Sequence, residues 1–121
     1  RLCRNPFAKN KIKLKPAKML GRIETVIMGV VDGMRYLHNR NIILQDLKPA
    51  NIGFHESGKV RLFDFGMARY VTECEDHDVC GTPRYMAPEV MSGEGSSLKS
   101  DVYSFGMVFY EVCSLQSPFG H

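Results

Sequence analysis

Between positions 46 and 64 stand four side chains suited to handling phosphate: Asp46, Lys48, Asn51 and Asp64. In Leu44-Gln45-Asp46-Leu47-Lys48-Pro49-Ala50-Asn51, the Asp46 carboxylate can take a proton and the Lys48 ammonium can neutralise a phosphate. The Asn51 amide can offer its carbonyl oxygen to a cation. Asp64-Phe65-Gly66 adds a second hard oxygen donor thirteen residues past Asn51. Such oxygens suit Mg²⁺, which ligates hard donors and bridges phosphates. A base, a fixed cation and two metal-binding oxygens are what phosphoryl transfer requires, because that reaction asks for positioning and charge neutralisation more than covalent help. Each residue alone has an ordinary alternative, since an Asp before a Leu commonly belongs to a turn or cap. The signal is the joint order and spacing.

The elements that must position these residues follow from the pattern around them. From about Met19 to Asn39, the residues Ile23, Val26, Ile27, Val30, Val31, Met34 and Leu37 fall on one face at helical spacing. His38, at its end, reads as a side chain near the helix C-terminal carbonyls. Asn41-Ile42-Ile43 is a short β-branched run. Ile52-Gly53-Phe54 and Val60-Arg61-Leu62-Phe63 flank the Gly-containing loop His55-Glu56-Ser57-Gly58-Lys59, which predicts a hairpin. That hairpin would hold Asn51, just before one strand, near Asp64, just after the other. Residues 64–89 contain Gly66, Gly81, Pro83 and Pro88 with little periodicity, as in long functional loops. Residues 101–115 are apolar nearly all round and predict a buried helix, with Ser100 as N-cap and Asp101 in its first turn.

These motifs, with Gly81-Thr82-Pro83-Arg84-Tyr85-Met86-Ala87-Pro88-Glu89 after them, resemble the catalytic half of a eukaryotic protein kinase from about Met19 to Phe119. The resemblance implies an α+β fold, the mainly helical C-terminal lobe with short β-hairpin elements at the catalytic loop. It implies one partial kinase domain over 1–121, without the nucleotide lobe or the late helices. It implies ATP and Mg²⁺ as cofactors and a protein substrate as partner. Asp46 would be the catalytic base, Lys48 would steady the γ-phosphate, and Asn51 and Asp64 would bind the metal. Thr82 would contact Asp46 and Lys48 and shape the acceptor pocket. Phe65 would pack beneath the site and Gly66 would let the backbone turn. Glu89 would pair with an arginine further along the domain, and Asp101 would brace the catalytic-loop backbone. Lys48 two residues after Asp46 resembles the serine/threonine class, since tyrosine kinases usually place Arg and Ala in this loop.

The sequence departs from the family at Leu44 and Gln45, where His-Arg usually precedes the catalytic Asp. Leu44 can still fill an apolar stack, while Gln45 removes the cation that would bind a phosphorylated loop. No Gly-rich loop and no strand lysine for the α- and β-phosphates are read in these residues. A rival reading is therefore a pseudokinase or truncated module that binds partners without catalysis.

Composition bounds the rest. Of 121 residues, 44% are hydrophobic and 24% charged, as in soluble globular chains. No apolar run approaches the ~20 residues of a membrane span. Residues 1–22 hold eight of the sixteen Lys and Arg and no acid, and the remainder carries a net −5. Poor aromatic interleaving makes this basic head a solvated linker rather than a nucleic-acid patch. Cys3, Cys74, Cys80 and Cys113 lack a disulfide framework's spacing, which predicts reduced thiols in a cytoplasmic or nuclear protein. Cys74, His77 and Cys80 are zinc-type ligands at steps of three, but with no fourth ligand nearby they read as part of a variable loop.

Overall fold

The computed structural model describes residues 16–120. Helix α1 runs Pro16–His38. The helix expected from about Met19 thus starts earlier, at Pro16, because a proline's missing N–H costs nothing in a first turn. The rest of the basic head, read from sequence as a solvated linker, lies outside the described residues. Val26, Val30 and Met34 are the buried stripe of α1, with Ile23, Ile27 and Leu37 packed beside them. Arg35 and His38 fall in its last turn, where cations meet the negative end of the helix dipole.

Strand β1, Ile42–Ile43, follows, and then the predicted hairpin of β2, Ile52–Phe54, and β3, Val60–Leu62. Its register pairs Ile52 with Leu62 and Phe54 with Val60, antiparallel. The hairpin lies against α1 so closely that a Cβ added to Gly29 would come within 2.5 Å of the Val60 Cβ. Only glycine allows the helix backbone that near the strand. Strand β4, Arg69–Tyr70, returns to pair with β1, Ile42 opposite Tyr70. The short helix α2 spans Pro88–Met91 and α3 spans Leu98–Ser114.

One apolar cluster joins these elements: Val26, Val30 and Met34 from α1, Leu44 and Leu47 from the loop after β1, Ile52 from β2, and Val108 and Val112 from α3. The fold is thus α+β, mainly helical with short antiparallel strands, as the resemblance implies.

Two expectations for α3 are corrected. Ser97, not Ser100, is the N-cap: its side chain accepts from the Ser100 N–H, and the Ser100 hydroxyl accepts from the Ser97 N–H. This reciprocal box satisfies two otherwise orphaned donors. Nor is α3 buried all round. Its buried face is Ser100, Asp101, Ser104, Val108 and Val112, while Val102, Phe109 and Tyr110 are exposed. The first part of that face is polar because Asp101 and Ser104 hold loop backbone there, while Val108 and Val112 further along meet the apolar cluster. Among the described residues, no helix is long and apolar enough to cross a membrane.

Candidate active site

The loop from Leu44 to Asn51 is positioned at both ends. Leu44 and Leu47 are buried in the central cluster. A turn of 3-10 helix over Pro49–Asn51 leads directly into β2. From α3, the buried Asp101 carboxylate accepts from the Leu44 N–H at 2.8 Å and the Gln45 N–H at 3.0 Å. His38 Nε2 donates to the same carboxylate at 2.8 Å. Sequence reasoning placed Asp101 correctly beside the loop but missed His38, which it read as a helix-end residue. The two stand 63 positions apart, and no local pattern links them.

Three side chains then close on one another. Lys48 Nζ donates to Asp46 Oδ2 at 2.6 Å and to Thr82 Oγ1 at 2.9 Å. Thr82 Oγ1 donates in turn to Asp46 Oδ1 at 2.6 Å. Both carboxylate oxygens of Asp46 are therefore oriented, and its charge sits against a cation in a part-buried setting. Charge-assisted bonds of this kind are shorter and stronger than neutral ones. Thr82 comes from the far side of the irregular segment and is held there by glycine. Gly81 has φ +118, and a Cβ on it would lie 2.4 Å from the Gln45 carbonyl oxygen.

Asn51 donates through Nδ2 to the Asp46 carbonyl at 2.9 Å, which turns its own carbonyl oxygen away as a free acceptor. The hairpin carries Asn51 to the Asp64 end, for the Phe63 N–H donates to the Asn51 backbone carbonyl at 2.8 Å. Asp64 is exposed and has φ 57, and its Oδ1 accepts from the Gly66 N–H at 3.3 Å. Two hard oxygens, Asn51 Oδ1 and Asp64 Oδ2, thus remain without a donor among the described residues. That donor set fits Mg²⁺, which keeps waters and phosphate oxygens for its other positions. Among the described residues, no three His, Cys, Asp or Glu side chains converge on a metal position.

Two sequence expectations change here. The unusual backbone at Asp64-Phe65-Gly66 belongs to Asp64, not Gly66, and Gly66 serves by leaving room beside the Asp64 carboxylate. Phe65 does not pack beneath the site. It is 49% exposed and lies at the surface beside Leu37, Ile42 and Ala68, where these partners leave half of it uncovered. The Glu89 carboxylate has no cation partner among the described residues.

Gln45 is 7% exposed, with φ 65. Its Nε2 points to Cys74 Sγ at 3.9 Å, and its Oε1 is buried without a partner. Burial chiefly, and then nearby acids, push the Cys74 thiol pKa upward against the opposing pull of Arg69.

A family model for the protein kinase domain matches residues 5–121. The chain is 45% identical over 96 residues to serine/threonine-protein kinase CTR1 of Arabidopsis thaliana, covering 76% of this chain and 12% of that protein. It is 41% identical over 105 residues to a cGMP-dependent protein kinase of Eimeria tenella, covering 85% of this chain and 10% of that one. It is 42% identical over 86 residues to cAMP-dependent protein kinase type 3 of Saccharomyces cerevisiae, covering 71% and 21%. The chain spans about a tenth of the length of the first relatives it matches.

Proposed function

Because the chain belongs to the protein kinase domain family, we propose that it carries the transfer centre of an ATP- and Mg²⁺-dependent kinase acting on serine and threonine hydroxyls of proteins. The observation that carries this reading is the closed triangle of Asp46, Lys48 and Thr82. A carboxylate oriented by both a cation and a hydroxyl is suited to accept the proton of an incoming alcohol. Lys48 lies close enough to offset charge that develops beside it. The nucleotide, when bound, supplies the γ-phosphoryl group, with the metal as counter-charge. Asn51 and Asp64 would hold that metal through their free oxygens. Lys48 beside Thr82, and the serine/threonine kinases among the relatives, support the choice of acceptor.

The Leu44-Gln45 departure favoured a non-catalytic module. Its weight falls because both backbone N–H groups still reach Asp101, so the loop keeps its anchor. The test is a pair of variants in the protein at its natural length. Asp46→Asn should bind Mg-ATP as the wild type does, yet turn over about 10²–10⁴-fold more slowly, the usual contribution of a positioned base. Asp64→Asn should weaken metal-nucleotide binding as well. Wild-type turnover in Asp46→Asn would refute the assignment.

A further inference from the structure

Between Cys74 and Gly81 the chain forms neither helix nor strand, yet its backbone is tied down. His77 sits at φ 80, a region strained for a residue with a Cβ, and its N–H donates to the Gly93 carbonyl at 2.9 Å. Such conformations persist only where the surroundings enforce them. Nearby, Gly95 is buried with φ +81, and a Cβ there would lie 3.0 Å from the Glu75 carbonyl oxygen and 3.6 Å from the Asp76 Cα. The loop from Ser92 to Ser96, between α2 and α3, therefore meets residues 75–77 backbone to backbone. Further on, Gly81 is pressed against Gln45 in the same way. The one ion pair in this stretch, Arg69 to Asp78 at 3.1 Å, is substantially exposed, and such pairs contribute little.

We infer that the Ser92–Ser96 loop is a built-in seat for this segment, with Gly95 as its positioning residue, so that the stretch leading to Thr82 is ordered without a phosphate. The contacts that fix it are neutral main-chain contacts. A phosphate on the exposed Tyr70 or Thr72 would meet no cation at position 45, where the Gln45 amide faces Cys74. Arg69 is engaged by Asp78, and Glu73, Glu75 and Asp76 add like charge nearby. The consequence for turnover rests on the kinase reading, whereas the seat itself is a statement about backbone order.

Hydrogen exchange read by mass spectrometry, on the protein at its natural length, decides the matter. Gly58 is the control: its φ is +80 but nothing lies within 4 Å of an added Cβ, so Gly58→Ala brings the strain without the contact. In the wild type, amides of residues 74–81 should be protected equally before and after phosphatase treatment. Gly95→Ala should speed their exchange about tenfold or more. It should also raise KM for a peptide acceptor while leaving KM for ATP unchanged. Gly58→Ala should leave residues 74–81 as they are. The inference is overturned if Gly95→Ala exchanges like the wild type, if Gly58→Ala loosens 74–81 equally, or if phosphatase alone does so. Should Gly95→Ala fail to fold, the His77 amide of phosphatase-treated wild type decides: slow exchange supports the seat, and the rate of a free loop overturns it. Absence of any phosphoryl transfer would remove the kinase reading and leave the exchange result standing.

Discussion

The Asp101 carboxylate shows how one side chain sets the geometry of a loop far away in sequence. It is almost wholly buried and accepts three hydrogen bonds, from the Leu44 and Gln45 amides and from His38. Asparagine has the same shape but only one acceptor oxygen. Its amide nitrogen would face an N–H donor and leave that donor buried and unpaired, a penalty of about 1–3 kcal/mol before the lost charge is counted. Asp101→Asn should therefore lower unfolding free energy by about 2–4 kcal/mol in denaturant titration. His38→Ala should cost less, about 1–2 kcal/mol, because the two backbone donors keep their acceptor. An Asp101→Asn protein as stable as the wild type would show that the loop is held by its apolar residues, Leu44 and Leu47, alone.

At the scale of the element, α3 holds both sides of the site on one face. Asp101 grips the loop that carries Asp46, and Ser104 and Glu111 grip the turn that follows Thr82. Ser104 Oγ donates to the Tyr85 carbonyl at 2.7 Å, and the Tyr85 hydroxyl donates to Glu111 Oε2 at 2.6 Å. Burial first, and the Glu111 carboxylate second, raise the Tyr85 pKa well above its ordinary 10.0. The sign of the pH effect follows from linkage. With the folded pKa raised, the stabilisation is fully present below pH 10 and is lost as pH rises beyond it. Chemical unfolding from neutral pH upward should thus be steady to about pH 10 and then decline. In Tyr85→Phe that alkaline decline should be smaller and the neutral-pH stability lower by about 1–2 kcal/mol, since Glu111 loses its donor. An unchanged alkaline limb in Tyr85→Phe would assign the loss to other groups. Tyr85 and Glu111 stand 26 positions apart, and no local pattern links them. Periodicity read α3 as apolar all round, and the polar residues on its inner face follow from what they hold.

For the whole molecule, what could be read in advance was what local chemistry decides. The stripe from Ile23 to Leu37 predicted α1, and Gly58 between two β-rich runs predicted the β2–β3 hairpin. The order of Asp46, Lys48, Asn51, Asp64 and Thr82 named the candidate site residues, and the fold brings Asp46, Lys48 and Thr82 into mutual contact. The pairing of β1 with β4 was invisible, because two-residue strands far apart in sequence carry no period of their own. The same holds for which faces stay uncovered. Phe109 is 45% exposed and stacks on Phe105, Leu115 is 73% exposed, and Val102, Tyr110 and Phe119 add to the apolar surface around the outer side and end of α3. Exposed apolar surface in this amount drives association. The 121 residues prepared alone should therefore self-associate in sedimentation and light scattering and show no phosphoryl transfer to a generic protein acceptor. Phe109→Ser with Leu115→Ser should shift the distribution toward monomer at little cost in folding, because both side chains already face solvent. A monomeric wild-type sample that unfolds cooperatively would mean this face is tolerated in water, and phosphorylation of the acceptor by that sample would show that these residues alone suffice for catalysis.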